Sequence, residues 1–193
     1  MKSDRIALFG GSFNPPHRGH VHIAEAAAKQ YHLDEVLWIP NSISPHKTHF
    51  AGADPHHRLE MTRLVILGFP SFTVSDMEIK RGGVSYTIDT IEAVKKVYEE
   101  SDLFLLIGGD SFLSLDTFHT PNRIRALVHF LVYPRENEDI VEDELRQNDG
   151  LIVGDFLNYS STDIRYRIAR QMPIDDLVSP AIAAYIKTHQ LYQ

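Results

Sequence analysis

Ile6-Ala7-Leu8-Phe9-Gly10-Gly11-Ser12-Phe13-Asn14-Pro15-Pro16-His17-Arg18-Gly19-His20, residues 6–20, decides how this chain is read. Ile6 to Phe9 is a short, continuously apolar run, the pattern of a strand covered on both faces. Two glycines follow, then two prolines, then an Ala-rich amphipathic segment from Val21 to Tyr31 with His22, Glu25 and Lys29 on its polar side. A strand running through a glycine turn into a helix places backbone amides and a helix N-terminus at the carboxyl end of the strand, where open α/β sheets bind ligands. Gly10 and Gly11 would let backbone approach a ligand without an intervening Cβ. His17 and His20, three positions apart, fall on one side of the first turn, where both could donate to phosphoryl oxygens.

Outward from this stretch the pattern repeats. Further apolar runs occur at Glu35–Ile39, Phe72–Ile79, Leu103–Ile107 and His129–Tyr133, with a short one at Leu151–Val153. Helical signals lie between them. Asp54-Pro55 is a cap followed by a first-turn proline, opening a helix toward Gly68. Thr87–Glu100 carries Ile88, Ile91, Val94 and Val97 at helical spacing; Ser161 or Thr162 caps a helix through Arg170; Ser179-Pro180 precedes another over 181–189. This alternation predicts an α/β fold: a Rossmann-like, doubly wound parallel sheet with helices on both faces and a small C-terminal helical part at 158–193, all in one domain over 1–193.

Composition limits the function. The 193 residues carry 19 Lys+Arg and 26 Asp+Glu, a formal charge of -7, which argues against a protein that coats DNA or RNA. There is no cysteine, so disulfides, thiolate nucleophiles and Cys-ligated zinc are excluded. No apolar run approaches the ~20 residues of a spanning helix, and the first residues lack a signal-peptide core. The expectation is a cytoplasmic protein with no membrane and no nucleic-acid partner; self-association into a homo-oligomer is left open. Arg135–Asp149 is acidic and reads as a solvated loop and surface helix.

Three further clusters could carry chemistry. Tyr159-Ser160-Ser161-Thr162-Asp163-Ile164-Arg165 offers hydroxyls, helix N-terminal amides and a guanidinium, suited to a polyphosphate. Ser44-Pro45-His46-Lys47 holds a loop lysine, and Gly108-Gly109-Asp110 a carboxylate at a strand end, where ribose hydroxyls bind. Each also has a plain structural reading: a capped surface helix, a solvated lysine, a tight turn with a cap at Asp110 or Ser111. A His-only metal site from His17, His20 and His22 is the other reading of the first cluster. No HExxH or comparable zinc spacing accompanies it, and no intrinsic metal site is expected.

Together these segments resemble the HxGH nucleotidyltransferase superfamily, and within it the bacterial nicotinate-nucleotide adenylyltransferases. The likeness runs through GGSFNPPHRGH (10–20), SPHK (44–47), RLEMTRL (58–64), SYTIDT (85–90), GGDSF (108–112), YSSTDIR (159–165) and LVSPAIAAYI (177–186). The resemblance implies that nicotinate mononucleotide and ATP, carried with Mg²⁺, react to nicotinate adenine dinucleotide and pyrophosphate. It implies catalytic roles for His17, His20, Lys47 and Arg165. It implies ATP contacts for Gly10, Gly11, Ser12, Phe13, Gly19, Gly108, Asp110, Ser161, Thr162 and Arg165. Ser12, Lys47, Thr87, Phe118 and His119 would contact the mononucleotide, Thr87 through its backbone amide to the nicotinate carboxylate. Phe118 stands where the family usually has tryptophan, and Tyr159 where it has isoleucine. Other acceptors, namely nicotinamide mononucleotide, phosphopantetheine and sugar or polyol phosphates, and a nucleotide-sensing module without turnover are the competing readings.

Overall fold

A computed structural model describes residues 4–45, 52–134, 140, 145–154 and 159–193. Among the described residues six strands form one sheet: β1 (Arg5–Gly11), β2 (Glu35–Pro40), β3 (Phe72–Val74), β4 (Asp102–Gly108), β5 (His129–Tyr133) and β6 (Gly150–Leu151). All pairings are parallel and the order is β3-β2-β1-β4-β5-β6. The order reverses between β1 and β4, so a crevice opens at their carboxyl ends.

The helices are α1 (Arg18–Gln30), α2 (Pro55–Val65), α3 (Met77–Arg81), α4 (Thr87–Val97), α5 (Gly109–Leu113), α6 (Pro121–Leu127), α7 (Ser161–Ala169) and α8 (Pro180–Thr188). The strands' period of two divides the core in two. Ala7, Phe9, Val36, Trp38, Phe104, Leu106 and Leu131 face one way and join Ala24 and Ala27 of α1, Met61 of α2, Ile164 of α7, and Ile182 and Ile186 of α8. Ile6, Leu8, Leu37, Leu105, Phe130 and Val132 face the other way and meet Ile88, Ile91 and Val94 of α4, Phe112 of α5 and Ile124 of α6. The continuous apolar runs are thus explained by burial of both faces. The 159–193 segment packs α7 and α8 on the first face, and the backbone amide of Arg18 donates to Leu177 O at 3.0 Å.

The two cap-plus-proline signals hold. The Asp54 carboxylate accepts from the His56 amide at 2.8 Å, and the Ser179 hydroxyl from the Ile182 amide at 3.4 Å. Other expectations need correction. The strand expected over 72–79 stops at Val74. Ser75 still donates its amide to Trp38 O at 2.9 Å, but its hydroxyl then accepts from the Met77 amide at 3.3 Å and turns the chain into α3. Helix α4 ends at Val97, which is 72% exposed rather than core; the chain leaves the helix at Tyr98, whose hydroxyl reaches the Glu35 carboxylate at 3.3 Å. The last strand is Gly150–Leu151. A Cβ on Gly150 would stand 2.2 Å from the Tyr31 hydroxyl, which donates to Leu151 O at 2.6 Å. Of the acidic stretch 135–149, residues 135–139 and 141–144 lie outside the described residues. Its end is not a solvated charge: the Asp149 side chain is 1% exposed and accepts from the Phe130 amide at 2.8 Å.

No helix among the described residues is long and apolar enough to cross a membrane. Phe130 is fully buried on β5. Phe130→Ala should therefore lower unfolding free energy by about 3–5 kcal/mol, whereas Val97→Ala should stay within about 0.5 kcal/mol of wild type. Urea denaturation of the two variants measures this difference.

Candidate active site

The crevice at the β1/β4 switch point holds a cavity of about 1020 Å³. Its wall includes Gly10, Gly11, Ser12, Phe13, Asn14, His17, Gly19 and His20 from β1 and the start of α1. Gly108, Asp110, Thr117 and Phe118 come from the chain after β4, and Tyr159, Ser161, Thr162 and Arg165 from α7 and its approach. Residues separated by about three-quarters of the chain therefore share one cavity. A smaller space of about 220 Å³ adjoins it and shares Gly10, Gly11, Asn41, Ser44, Gly108 and Phe118; its other lining includes Pro45, Glu78, Ser85, Thr87 and Thr90.

The two imidazoles lie together, with ring centroids 3.7 Å apart. His17 is the residue before α1 and is 6% exposed. Its amide donates to His20 Nδ1 at 3.2 Å. That bond makes Nδ1 an acceptor, so a neutral His20 carries its proton on Nε2. Phe13, buried and at a φ of 45°, sets its ring edge-on to His20 at 5.2 Å and against Trp38 at 5.1 Å. A Cβ on Gly11 would approach that ring to 3.0 Å. Gly10 by contrast faces open space, as an approach site for a ligand requires. At Gly19 a Cβ would meet Tyr159 Cβ at 3.0 Å and His17 Nδ1 at 3.1 Å, so this glycine serves the packing of α7's approach on α1.

Arg165 joins the two motifs. Its guanidinium donates to Asn14 O at 2.7 Å and to the Thr162 hydroxyl at 3.1 Å. The Ser161 hydroxyl donates to Pro15 O at 2.9 Å. Ser160, not Ser161 or Thr162, caps α7, accepting from the Thr162 amide at 3.2 Å. This leaves the next two hydroxyls to bridge to the β1–α1 loop and to Arg165. Asp110 sits in the first turn of α5, where Oδ1 accepts from the Ser111 amide at 2.8 Å. A Cβ on Gly108 would stand 2.8 Å from that oxygen. Thr87 opens α4 beside the smaller space, where the first amides of a helix lack intrahelical partners. Phe118 lines both spaces, whereas His119 is exposed and packs on Tyr86 at 4.9 Å, outside the lining of either. Lys47 lies outside the described residues.

Three residues essential to this geometry carried no assigned role in the sequence. Arg58 is fully buried. It donates to Ser12 O at 2.8 Å, Asn41 Oδ1 at 3.1 Å, Asn41 O at 2.7 Å and Ser42 O at 3.0 Å. Burial holds its pKa down to about 10, opposed by Tyr192, Asp54 and Glu78. Asn14 accepts at Oδ1 from the Ala53 amide at 3.1 Å and from the Tyr192 hydroxyl at 2.7 Å. Burial, the largest influence, pushes the Tyr192 phenol well above its usual range. Glu78 is 6% exposed and accepts from the Thr90 hydroxyl at 2.5 Å. The available signal was no more than an arginine in α2 and a glutamate in α3 on short helices that also carry other charges.

An all-parallel sheet with a histidine- and arginine-lined cavity at its switch point defines a nucleotide-binding α/β protein. The chain belongs to the cytidylyltransferase-like family, which it matches over residues 8–167. A probable nicotinate-nucleotide adenylyltransferase of Salinibacter ruber is 38% identical over 190 residues, covering 97% of each chain. One from Bacillus pumilus is 37% identical over 191 residues, covering 98% of each. Among solved structures, Plasmodium falciparum nicotinic acid mononucleotide adenylyltransferase complexed with NaAD has a TM-score of 0.82 at 19% identity, covering 98% of this chain and 97% of that one. That last likeness concerns the fold.

Arg58→Met removes the four hydrogen bonds that Arg58 donates to the loops after β1 and β2 and leaves their acceptors without that partner. It should cost about 3–5 kcal/mol of stability, read as a lowered denaturation midpoint, and should lose most activity even where folded protein is recovered.

Proposed function

We propose that this protein transfers the adenylyl group of ATP to nicotinate mononucleotide, giving nicotinate adenine dinucleotide and pyrophosphate. The observation that carries this is the pair of adjoining spaces. The larger is lined by His17, His20 and Arg165, the smaller lies at the N-terminus of α4, and Gly10, Gly11 and Gly108 form a common wall. The family and the relatives' names support the same reading.

ATP occupies the larger space, its triphosphate against the His17–His20 pair and Arg165. The mononucleotide occupies the smaller one, with its pyridine ring near Phe118 and its carboxylate toward the first amides of α4. The positive end of a helix dipole favours a carboxylate over a neutral amide, which accounts for the acid acceptor. An oxygen of the mononucleotide phosphate forms a bond to the α-phosphorus as the bond to the β-phosphate oxygen breaks, and the electron pair leaves with pyrophosphate. The nucleophile is already anionic, so no strong base is needed, and catalysis is positioning plus charge stabilisation. His20, held as its Nε2–H form by the His17 amide, donates to the transferring phosphoryl group. Arg165 presents a planar fork to the departing phosphates, its orientation fixed by Asn14 O and Thr162. Gly10 admits the chain of phosphates, and Asp110 accepts from ribose hydroxyls.

Mg²⁺ enters with the triphosphate. Among the described residues no group of three or more His, Cys, Asp or Glu could hold a metal ion. Asp110 is the one carboxylate among the described residues lining the larger space. Such a wall fits a cation that keeps water and phosphate oxygens as its ligands. When bound it would neutralise charge on the β- and γ-phosphates.

Pyrophosphate release with ATP and each mononucleotide tests the proposal, and faster turnover with the nicotinate form is expected. No release with either acceptor, despite ligand-dependent thermal stabilisation, would establish a sensing module instead. His20→Ala should lower kcat by about 10²–10³ with the fold retained. Arg165→Lys should also be strongly impaired, because a point charge does not replace the fork.

A further inference from the structure

Glu78 is a buried acid in the wall of the smaller space, and the transfer step has no use for it. Its surroundings form a continuous polar chain. The Thr90 hydroxyl, in the first turns of α4, donates to Glu78 Oε1 at 2.5 Å, and Arg81 donates to the Thr90 oxygen at 3.1 Å. The Ser85 hydroxyl is the second neutral group that favours the ionised carboxylate. Ser85 in turn accepts from the Ser42 amide at 3.0 Å and donates its own amide to Ile43 O at 2.9 Å. Ser42 O is one of the carbonyls held by Arg58, whose other bonds reach Ser12 beside the larger space. Glu78 thus ties the 82–87 turn and the start of α4 to the loop after β2, and those two segments are the walls of the smaller space.

We infer that ionised Glu78 is a positioning residue for the acceptor nucleotide, holding the Ser85–Thr87 wall in its binding form through the Ser85 and Thr90 hydroxyls. The inference rests on the acceptor assignment proposed above. Thr90 donates to the carboxylate while accepting from Arg81, and Ser85, which accepts from the Ser42 amide, keeps its hydroxyl proton to donate. An ionised carboxylate only accepts, and it satisfies both. A protonated one presents a donor at one oxygen and is a weaker acceptor at the other, so the hold of the two hydroxyls on the wall weakens.

The charged groups acting on Glu78 are Arg81 from its own helix and Arg58 from α2; α4 and the 82–87 turn meet it with the neutral Thr90 and Ser85. Burial raises its pKa, and the two hydroxyls and two arginines counter this only in part. The sign of the consequence is unusual. The folded protein holds this proton more readily than the unfolded chain. Glu78's contribution to stability is therefore fully present below its unfolded pKa and is lost as pH rises through the folded one. Acceptor affinity moves the opposite way and weakens as pH falls. A residue with only a structural role would move both in the same direction.

The test compares wild type with Glu78→Gln from about pH 5 to about pH 8. KM is measured for each substrate at saturating concentrations of the other, and the thermal midpoint is followed in parallel. Glutamine accepts from one hydroxyl and must donate toward the other, so it mimics the protonated acid. Expected at neutral pH is a rise of about tenfold in KM for the mononucleotide, the scale of one charge-assisted hydrogen bond. KM for ATP should stay within about twofold and the thermal midpoint should not fall. Wild-type acceptor KM should climb toward the variant's on acidification. Equal acceptor KM in both proteins across the range would overturn the inference, as would parallel loss of both affinities and of the thermal midpoint. Equilibrium titration with nicotinate mononucleotide alone separates this from failure of the proposed reaction. A wild type that binds the mononucleotide without turnover defeats the reaction. A variant that binds it as tightly as wild type defeats the role of Glu78.

Discussion

The site depends on one buried cation. The Arg58 guanidinium has left water entirely, a placement that costs several kcal/mol unless its donors are matched. The four Nη donors are matched by three backbone carbonyls and one side-chain amide oxygen from the ends of β1 and β2. Two loops that would otherwise fluctuate separately are thereby bound to one rigid group on α2. Because a peptide plane is fixed, drawing the Ser12 carbonyl toward Arg58 turns the Phe13 amide to the opposite side. The loop's backbone polarity is thus set before any ligand arrives. Asn14 then extends the tie, joining the same loop to Ala53, to Arg165 and to Tyr192 at the far end of the chain.

Such a frame suits chemistry whose barrier is lowered mainly by placement. A phosphoryl transfer between an anionic nucleophile and a polyanion leaves little for acid or base groups to do. Tenths of an ångström in the position of donors matter more. The His17 amide bond to His20 Nδ1 and the two bonds that orient Arg165 hold side chains of the cavity wall in place. The chain's net charge of -7 does not oppose anion binding, because among the described residues Asp110 is the one carboxylate lining the larger space. Local potential, rather than the total, governs capture of a nucleotide.

What the sequence disclosed was local in origin. Continuous apolar runs announce strands buried on both faces. A cap followed by proline announces a helix start at 54–55 and 179–180, and both physical causes act within a few residues. The convergence of His17, His20 and Arg165 was legible because each follows a strand or opens a helix, and parallel topology delivers those ends to one edge. The illegible part is the buried polar framework. Glu78, Arg58 and Tyr192 find partners 12, 46 and 178 residues away, and no periodicity encodes such matches. The same reason explains Asp149, whose acidic context suggested solvent but whose carboxylate satisfies the Phe130 amide. Val97 failed for a different reason: its spacing was helical, but the helix ends there and leaves it in water.

Glycines show the limit most clearly. Gly10, Gly11 and Gly19 share one motif and one expected purpose, close approach to a nucleotide. Only Gly10 has open space where its side chain would be; Gly11 yields to Phe13 and Gly19 to Tyr159 and His17. Gly52 lies outside every motif, yet a Cβ there would stand 1.9 Å from the Asn14 amide nitrogen. Its absence of a side chain lets the segment before α2 close on Asn14, so that Ala53 can donate to it. Gly11 and Gly19 therefore make room for the protein's own rings, and Gly52, distant from both, makes room for Asn14. Part of the cavity's shape is thus set from behind, by residues such as Arg58 and Tyr192 that hold its wall without lining it.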